Sequence, residues 1–193
     1  MEKIEMNRVI MIKYGELTTK KSNRKLFVNA LYNNLKNKLK NYDVSFTSDL
    51  SRMYIEFHDH DLNDILDKIN CVFGIHAYDV AYKVKTDIVS IEEMILNILK
   101  NLNFKTFKVN IKRSDKSFSI QSTDFSKRIG GLILKNKENI KVDVHNPEMN
   151  FNIEIRKDYT YIYLNEYKGA GGYPVGTLGK GLLMLSGGID SPV

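Results

Sequence analysis

Apolar residues in this chain switch repeatedly between a spacing of two and a spacing of three to four, and that switching leaves few architectures open. Val9 to Ile12 is a continuous run of β-formers, read as a central strand ending at Tyr14-Gly15-Glu16. From Ser22, read as an N-cap, Leu26, Phe27, Ala30, Leu31, Leu35 and Leu39 recur at helical spacing. Lysines and asparagines fill the other positions and make the outer face basic. Val44 to Thr47 and Met53 to Phe57 read as a half-buried hairpin, in which Met53, Ile55 and Phe57 alternate with Tyr54 and Glu56. Leu62, Ile65, Leu66 and Ile69 predict a helix over 61–69, and Ile75 to Val84 is extended again. The order β-α-β-β-α-β is that of a split βαβ unit.

A second unit follows. Ser90-Ile91-Glu92-Glu93 reads as a capping box ahead of Ile91, Met94, Ile95, Ile98, Leu99 and Leu102. Phe107, Val109 and Ile111 alternate with Lys108, Asn110 and Lys112, which predicts a strand with one polar, basic face. A further helix carries Phe125, Ile129, Leu132 and Ile133, and strands over 151–156 and 160–164 close the unit. The stretch from Gly169 to Lys180 is too glycine-rich to pack a core and reads as a linker, or as a loop laid against another surface. Gly181-Leu182-Leu183-Met184-Leu185 then resembles a parallel strand buried on both faces. The fold class is α/β (α+β), divided into 1–60 with an outer limit near 80, then 61–165, 166–180 and 181–193.

Charge narrows the partners. Lysine plus arginine number 29 against 23 acidic residues, a net charge of +6 that draws in a polyanion at long range. No apolar run approaches the roughly 18 residues that span a bilayer, and the start Met1-Glu2-Lys3-Ile4-Glu5 lacks the core of a signal peptide. A cytoplasmic protein without membrane contact is expected. The single cysteine, Cys71, precludes an intrachain disulfide and is expected to be a small buried hydrophobe. His58-Asp59-His60-Asp61 reads as a polar turn rather than a metal site, because consecutive residues rarely converge on one ion.

The chemistry is concentrated in Ser186-Gly187-Gly188-Ile189-Asp190-Ser191-Pro192. Gly187 and Gly188 let consecutive amides converge on an anion, while Ser191 and Pro192 suit the start of a following helix whose N-terminus faces the same anion. Ser-Gly-Gly-x-Asp-Ser resembles the PP-loop of ATP pyrophosphatases. The rest of the chain extends the likeness. Tyr14-Gly15-Glu16-Leu17 with Asn23-Arg24 and Phe27 comes first, and Phe107 to Arg113, Gly130-Gly131, Lys141 to Val144, Asn146-Pro147 and Ile153 to Arg156 follow. With the glycine-rich junction over 169–180, these motifs are similar to those of the tRNA 4-thiouridine synthetases, the tRNA sulfurtransferases of the ThiI family. The resemblance implies a ferredoxin-like domain, a THUMP domain that binds RNA, and the first strand and loop of a truncated PP-loop domain.

It further implies that a uridine near the tRNA acceptor stem becomes 4-thiouridine, through adenylation by ATP with Mg2+ and replacement of oxygen by persulfide sulfur. The partners implied are tRNA through its acceptor stem and 3′ end, a cysteine desulfurase or other persulfide donor, and a sulfur carrier protein of thiamine thiazole synthesis. A homodimer is left open. Leu183, Met184, Ser186, Gly187, Gly188, Asp190 and Ser191 are the implied ATP ligands. The chain stops at Val193, so it is expected to be the front of a longer enzyme, to bind tRNA without catalysis, and to hold no cofactor tightly. Cys71 lies outside the catalytic region that carries the persulfide in the family. The alternatives are the THUMP module of another RNA-modifying enzyme and a ferredoxin-like interaction scaffold.

For RNA contact the expected platform is Lys108, Asn110, Lys112, Arg113, Lys116 and Ser117, with Lys127, Arg128 and Arg156 nearby. Gly130 and Gly131, each costing on the order of 1 kcal/mol within a helix, suggest close approach by RNA backbone or tight helix packing. Lys20, Lys21, Asn23 and Arg24 stand at a helix entrance where phosphate could bind.

Overall fold

The computed structural model describes residues 7–15, 17, 23–58 and 61–181. Their elements are β1 (Arg8–Lys13), α1 (Arg24–Lys38), β2 (Ser45–Ser48), β3 (Arg52–Glu56), α2 (Leu62–Asn70) and β4 (Ala77–Lys85), then α3 (Ile88–Leu99), β5 (Thr106–Arg113), α4 (Ser122–Asn136), β6 (Lys141–Val142), β7 (Met149–Ile155), β8 (Tyr159–Tyr163) and β9 (Tyr167–Lys168).

The strands form one sheet in the order β2-β3-β1-β4-β8-β7-β5-β6, with β9 also paired to β4. The order β2-β3-β1-β4 is that of a ferredoxin-like unit, antiparallel throughout. The second unit centres on the parallel pair β5 and β7, joined through α4, with β6 on its outer edge. The two units share hydrogen bonds: β4 pairs with β8 from Tyr82↔Ile162 to Lys85↔Tyr159. Each unit keeps its own core, and the two cores lie under one sheet.

Strand alternation sorts the layers. Phe27, Leu31 and Leu35 of α1 and Ile65 and Ile69 of α2 pack on Ile10, Ile12, Met53, Ile55 and Tyr78. Ile91, Met94, Ile95 and Ile98 of α3 and Phe125, Ile129 and Ile133 of α4 pack on Phe107, Phe151, Ile153 and Ile162, with Tyr82 and Val84 beside them. Tyr78, Val80, Tyr82 and Val84 are alternate residues of β4, so all four helices cover the same face. Because α2 and Tyr78 lie in the first core, the first unit runs past residue 60 into β4, whose Tyr82 and Val84 pack on the second.

Other local expectations change for identifiable reasons. Leu26 is 56% exposed, since the buried stripe follows Phe27, Leu31 and Leu35 and leaves Leu26 to one side. The cap of α1 is Asn23, while Ser22 lies outside the described residues. Helix α3 begins one turn before the expected capping box, because the Asp87 side chain accepts from the Ser90 amide at 2.8 Å and its hydroxyl at 2.7 Å. Cys71 is exposed, not buried; it lies just past α2, where its thiol donates weakly to the Asp67 carbonyl at 3.6 Å. Tyr54, placed on the wet side of a half-buried hairpin, is 7% exposed and stacks on Tyr161 with centroids 4.9 Å apart. No helix among the described residues is long and apolar enough to cross a membrane.

The glycine-rich stretch is docked through its first half. After β9, Gly169 and Gly171 donate to the His76 and Ile75 carbonyls at 3.0 and 2.8 Å, and Gly74 donates back to Gly171 at 2.7 Å. Tyr173 lies 5.3 Å from Phe27, and Asn34 donates to the Val175 carbonyl at 3.1 Å. Of the two sequence readings, this segment takes the second, a loop laid against the first unit.

Candidate nucleic-acid interface

The sheet face opposite the helices follows from register. Lys108, Asn110 and Lys112 of β5 pair with Asn150, Asn152 and Glu154 of β7, and these with Tyr161 and Tyr163 of β8. Lys83 and Lys85 of β4 pair with Tyr161 and Tyr159. Among the described residues no helix covers this face, which carries lysine, asparagine and tyrosine beside a small buried cluster of Val9, Met11 and Ala81, where the other carries aliphatic and aromatic core side chains. Rings under cations cover its centre: Lys83 lies 4.4 Å from the Tyr159 ring and Lys13 5.0 Å from that of Tyr163.

A cleft of about 580 Å³ opens at one end of this face, lined by Tyr54, Ser114, Ser117, Lys157, Tyr159 and Tyr161 among others. It sits at the carboxyl ends of the parallel strands β5 and β7, where chain reversal leaves a crevice and ligands commonly bind in α/β sheets. Arg113 builds one wall by donating to the Phe118 and Ile120 carbonyls at 3.0 and 2.8 Å, and Asp115 fastens the Ser117 amide and hydroxyl at 2.9 and 2.7 Å. Burial drives the ring hydroxyls up: Tyr161 is pushed up to about 12, and both it and Tyr54 stay neutral donors at any physiological pH.

At the centre of the face, Asp79 is fully buried and forms an ion pair with Lys13 at 3.0 Å, while Lys13 also binds Glu166. Burial pushes the Asp79 carboxyl up to about 6 against the pull of Lys13.

The expected RNA contacts divide between layers. Lys112, Lys116 and Ser117 are exposed, Ser117 alone of them lining the cleft, and Lys108 is half-buried on the helix-free face. Asn110 shares that face but donates to Asn152 at 3.1 Å. Arg113 is occupied by the two carbonyls and is no free cation. Lys127, Arg128, Gly130 and Gly131 lie on α4, in the helical layer behind the sheet, because Phe107 sends its side chain toward that helix; they do not adjoin Lys112. Arg128 forms a two-pronged pair with Glu92 at 2.5 and 3.2 Å, and Lys127 lies 3.8 Å from Asp124. A Cβ built on Gly130 or Gly131 would meet nothing within 4 Å outside the helix, which removes tight packing as their reason. Asn23 and Arg24 are also in the helical layer, and Arg24 donates to the Leu50 carbonyl. Arg156 is held by Asp49, Ser51 and Glu154. Lys20, Lys21 and the implied ATP ligands Leu183, Met184, Ser186, Gly187, Gly188, Asp190 and Ser191 lie outside the described residues.

Sequence reading missed Lys157, Tyr159, Tyr161 and Tyr163. The signal was present: Tyr159-Thr160-Tyr161-Ile162-Tyr163 places tyrosines at every second position, hence three rings on one sheet face.

A ferredoxin-like unit joined edge to edge with a β5–β7 unit whose sheet is open on one side defines a class of proteins: the THUMP domain family matches residues 85–165. Residues 9–78 match the ThiI ferredoxin-like domain, so the chain pairs a ThiI-type ferredoxin-like domain with a THUMP domain. It is 42% identical over 187 residues to the probable tRNA sulfurtransferase of Anoxybacillus flavithermus, covering 95% of this chain and 47% of that protein. A 4-thiouridine synthetase solved as an RNA complex with bound ATP superposes with a TM-score of 0.81 at 33% identity, over 96% of this chain and 48% of the other. PH1313 from Pyrococcus horikoshii gives 0.77 at 27% identity, over 88% and 57%. The chain thus spans about half the length of the relatives it matches.

Proposed function

We propose that this chain is the tRNA-binding portion of an ATP-dependent tRNA sulfurtransferase that forms 4-thiouridine near the acceptor stem. The observation that carries the reading is the helix-free face with Lys108 and the exposed Lys112, which ends at the carboxyl ends of β5 and β7 in a cleft lined by Lys157 and the 43% exposed Tyr159 together with Asp49, Asp115 and Asp158. Lysines there supply salt-sensitive attraction for phosphates, and an exposed ring offers a stacking surface to an unpaired 3′ nucleotide. Support comes from the relative described as a tRNA sulfurtransferase and from the solved synthetase, itself an RNA complex. ATP with Mg2+, a cysteine desulfurase as persulfide source, a thiazole sulfur carrier and a cytoplasmic setting belong to the same reading through the resemblance.

The test is tRNA binding by the whole chain across a salt series. Affinity should fall with salt at a slope of about −0.7 to −0.9 in log units for each phosphate neutralised. Lys112→Glu with Lys116→Glu should weaken binding at least about tenfold while the fold is retained. Arg113 is left unchanged because it holds the loop together. Failure to bind tRNA at low salt would sink the reading, and a flat salt response would favour an interaction scaffold.

A further inference from the structure

The cleft assigned above to RNA has walls from both units, and one side chain ties them. Arg156 follows β7, and its guanidinium donates to Asp49 Oδ2, to Ser51 Oγ at 3.2 Å and to Glu154 Oε1 at 2.6 and 3.0 Å. It also lies 5.6 Å from the centroid of the Tyr54 ring. Asp49 and Ser51 belong to the β2–β3 turn of the ferredoxin-like unit, and Glu154 to β7 of the THUMP domain. That turn is built to present its carboxylate. Asp49 Oδ1 accepts from the Ser51 and Arg52 amides at 2.6 and 2.9 Å, leaving Oδ2 for Arg156 and for the Tyr54 hydroxyl at 3.0 Å.

The cluster is electrically closed. Arg52 approaches Glu154 at 3.4 Å, so two guanidinium groups face two carboxylates. The Glu154 side chain is 2% exposed and that of Arg156 18%. Burial alone would raise the Asp49 carboxyl, but the Ser51 amide and Arg156 hold it below the usual carboxylate range, so it is charged at neutral pH. A phosphate entering here would have to strip Arg156 from its acceptors and would then face Asp49 and Glu154 across a short, partly dry gap. Like charges at that range repel strongly.

We propose that Arg156 is a positioning residue rather than a phosphate ligand. It clasps the β2–β3 turn of the ferredoxin-like unit to the β7–β8 hairpin of the THUMP domain. The clasp sets the width of the cleft and the place of Lys157 and Tyr159, and the ferredoxin-like unit thereby shapes a nucleic-acid site on its neighbour. The inference rests on the tRNA reading for its effect on binding, but not for the clasp itself.

The two readings of Arg156 predict opposite signs for Asp49→Asn. For the whole chain, Arg156→Gln and Asp49→Asn should each lower tRNA affinity at least about fivefold with the salt slope unchanged, and the double variant should be no worse than the weaker single one. Arg156→Lys, which keeps the charge but not the planar fork, should not restore binding. If Arg156 were a phosphate ligand, its loss would flatten the slope by about 0.7 to 0.9, and Asp49→Asn would tighten binding by removing a competing anion; either result overturns the proposal. Amide hydrogen exchange decides the clasp without RNA. In Asp49→Asn, the milder variant, the amides of 157–159 and 114–117 should exchange several-fold faster, and unchanged exchange rejects the clasp even if the parent chain ignores tRNA.

Discussion

The amide of Gly169 donates to the carbonyl of His76 at 3.0 Å and stitches the segment after β9 to the ferredoxin-like unit. A Cβ at Gly169 would collide with the Ile75 carbonyl oxygen, a backbone atom that cannot swing aside. Gly169→Ala should therefore undock the strap and cost about 2 kcal/mol. Urea unfolding reads the loss, and the Gly169 and Gly171 amides should lose exchange protection. A variant as stable as the parent would show that the strap contributes nothing to the first unit.

Gly130 and Gly131 present the opposite case, since an added Cβ meets open space. Gly130→Ala and Gly131→Ala should each stabilise α4, by up to about 1 kcal/mol from helix propensity. Thermal melting measures this directly. If RNA backbone approaches that helix, the same substitutions will weaken tRNA binding while raising the melting temperature; unchanged affinity removes both glycines from the interface.

Asp79 gives stability a pH dependence of known sign. Its carboxyl is pushed by burial up to about 6, above the ordinary value of 3.8, with Lys13 and Arg52 opposing and Glu166 adding to the rise. Between those values the folded chain holds the proton more tightly than the unfolded chain. The contribution is fully present below 3.8 and is lost as pH rises through about 6. Asp79→Asn should flatten that descent in urea melts taken between about pH 4 and pH 7. An identical pH profile in the variant would assign the descent to other groups.

Much of this architecture could be read locally. The β-α-β-β-α-β order and the helical faces of α1 to α4 come from periodicities spanning at most a dozen residues, and motif resemblance named both units. The basic face of β5 was legible for the same reason: Lys108, Asn110 and Lys112 alternate with apolar residues. What escaped was occupancy. Arg113, Arg128 and Arg156 look like free cations in sequence, yet each is held by acceptors, some close in sequence and others remote. The acceptors of Arg113 lie a few residues ahead, Glu92 sits 36 residues from Arg128, and Asp49 sits 107 from Arg156.

The sequence by itself determined which segments are strands or helices, which side of each is apolar, and which family the chain resembles, because these are written in short-range spacing. The tertiary structure alone decided that β4 and β8 pair, that the strap returns to the ferredoxin-like unit, and that the tyrosines of β8 share a face with the lysines of β4 and β5. Hydrogen bonds between strands and pairing of buried charge depend on which distant backbones meet, and no local pattern specifies that.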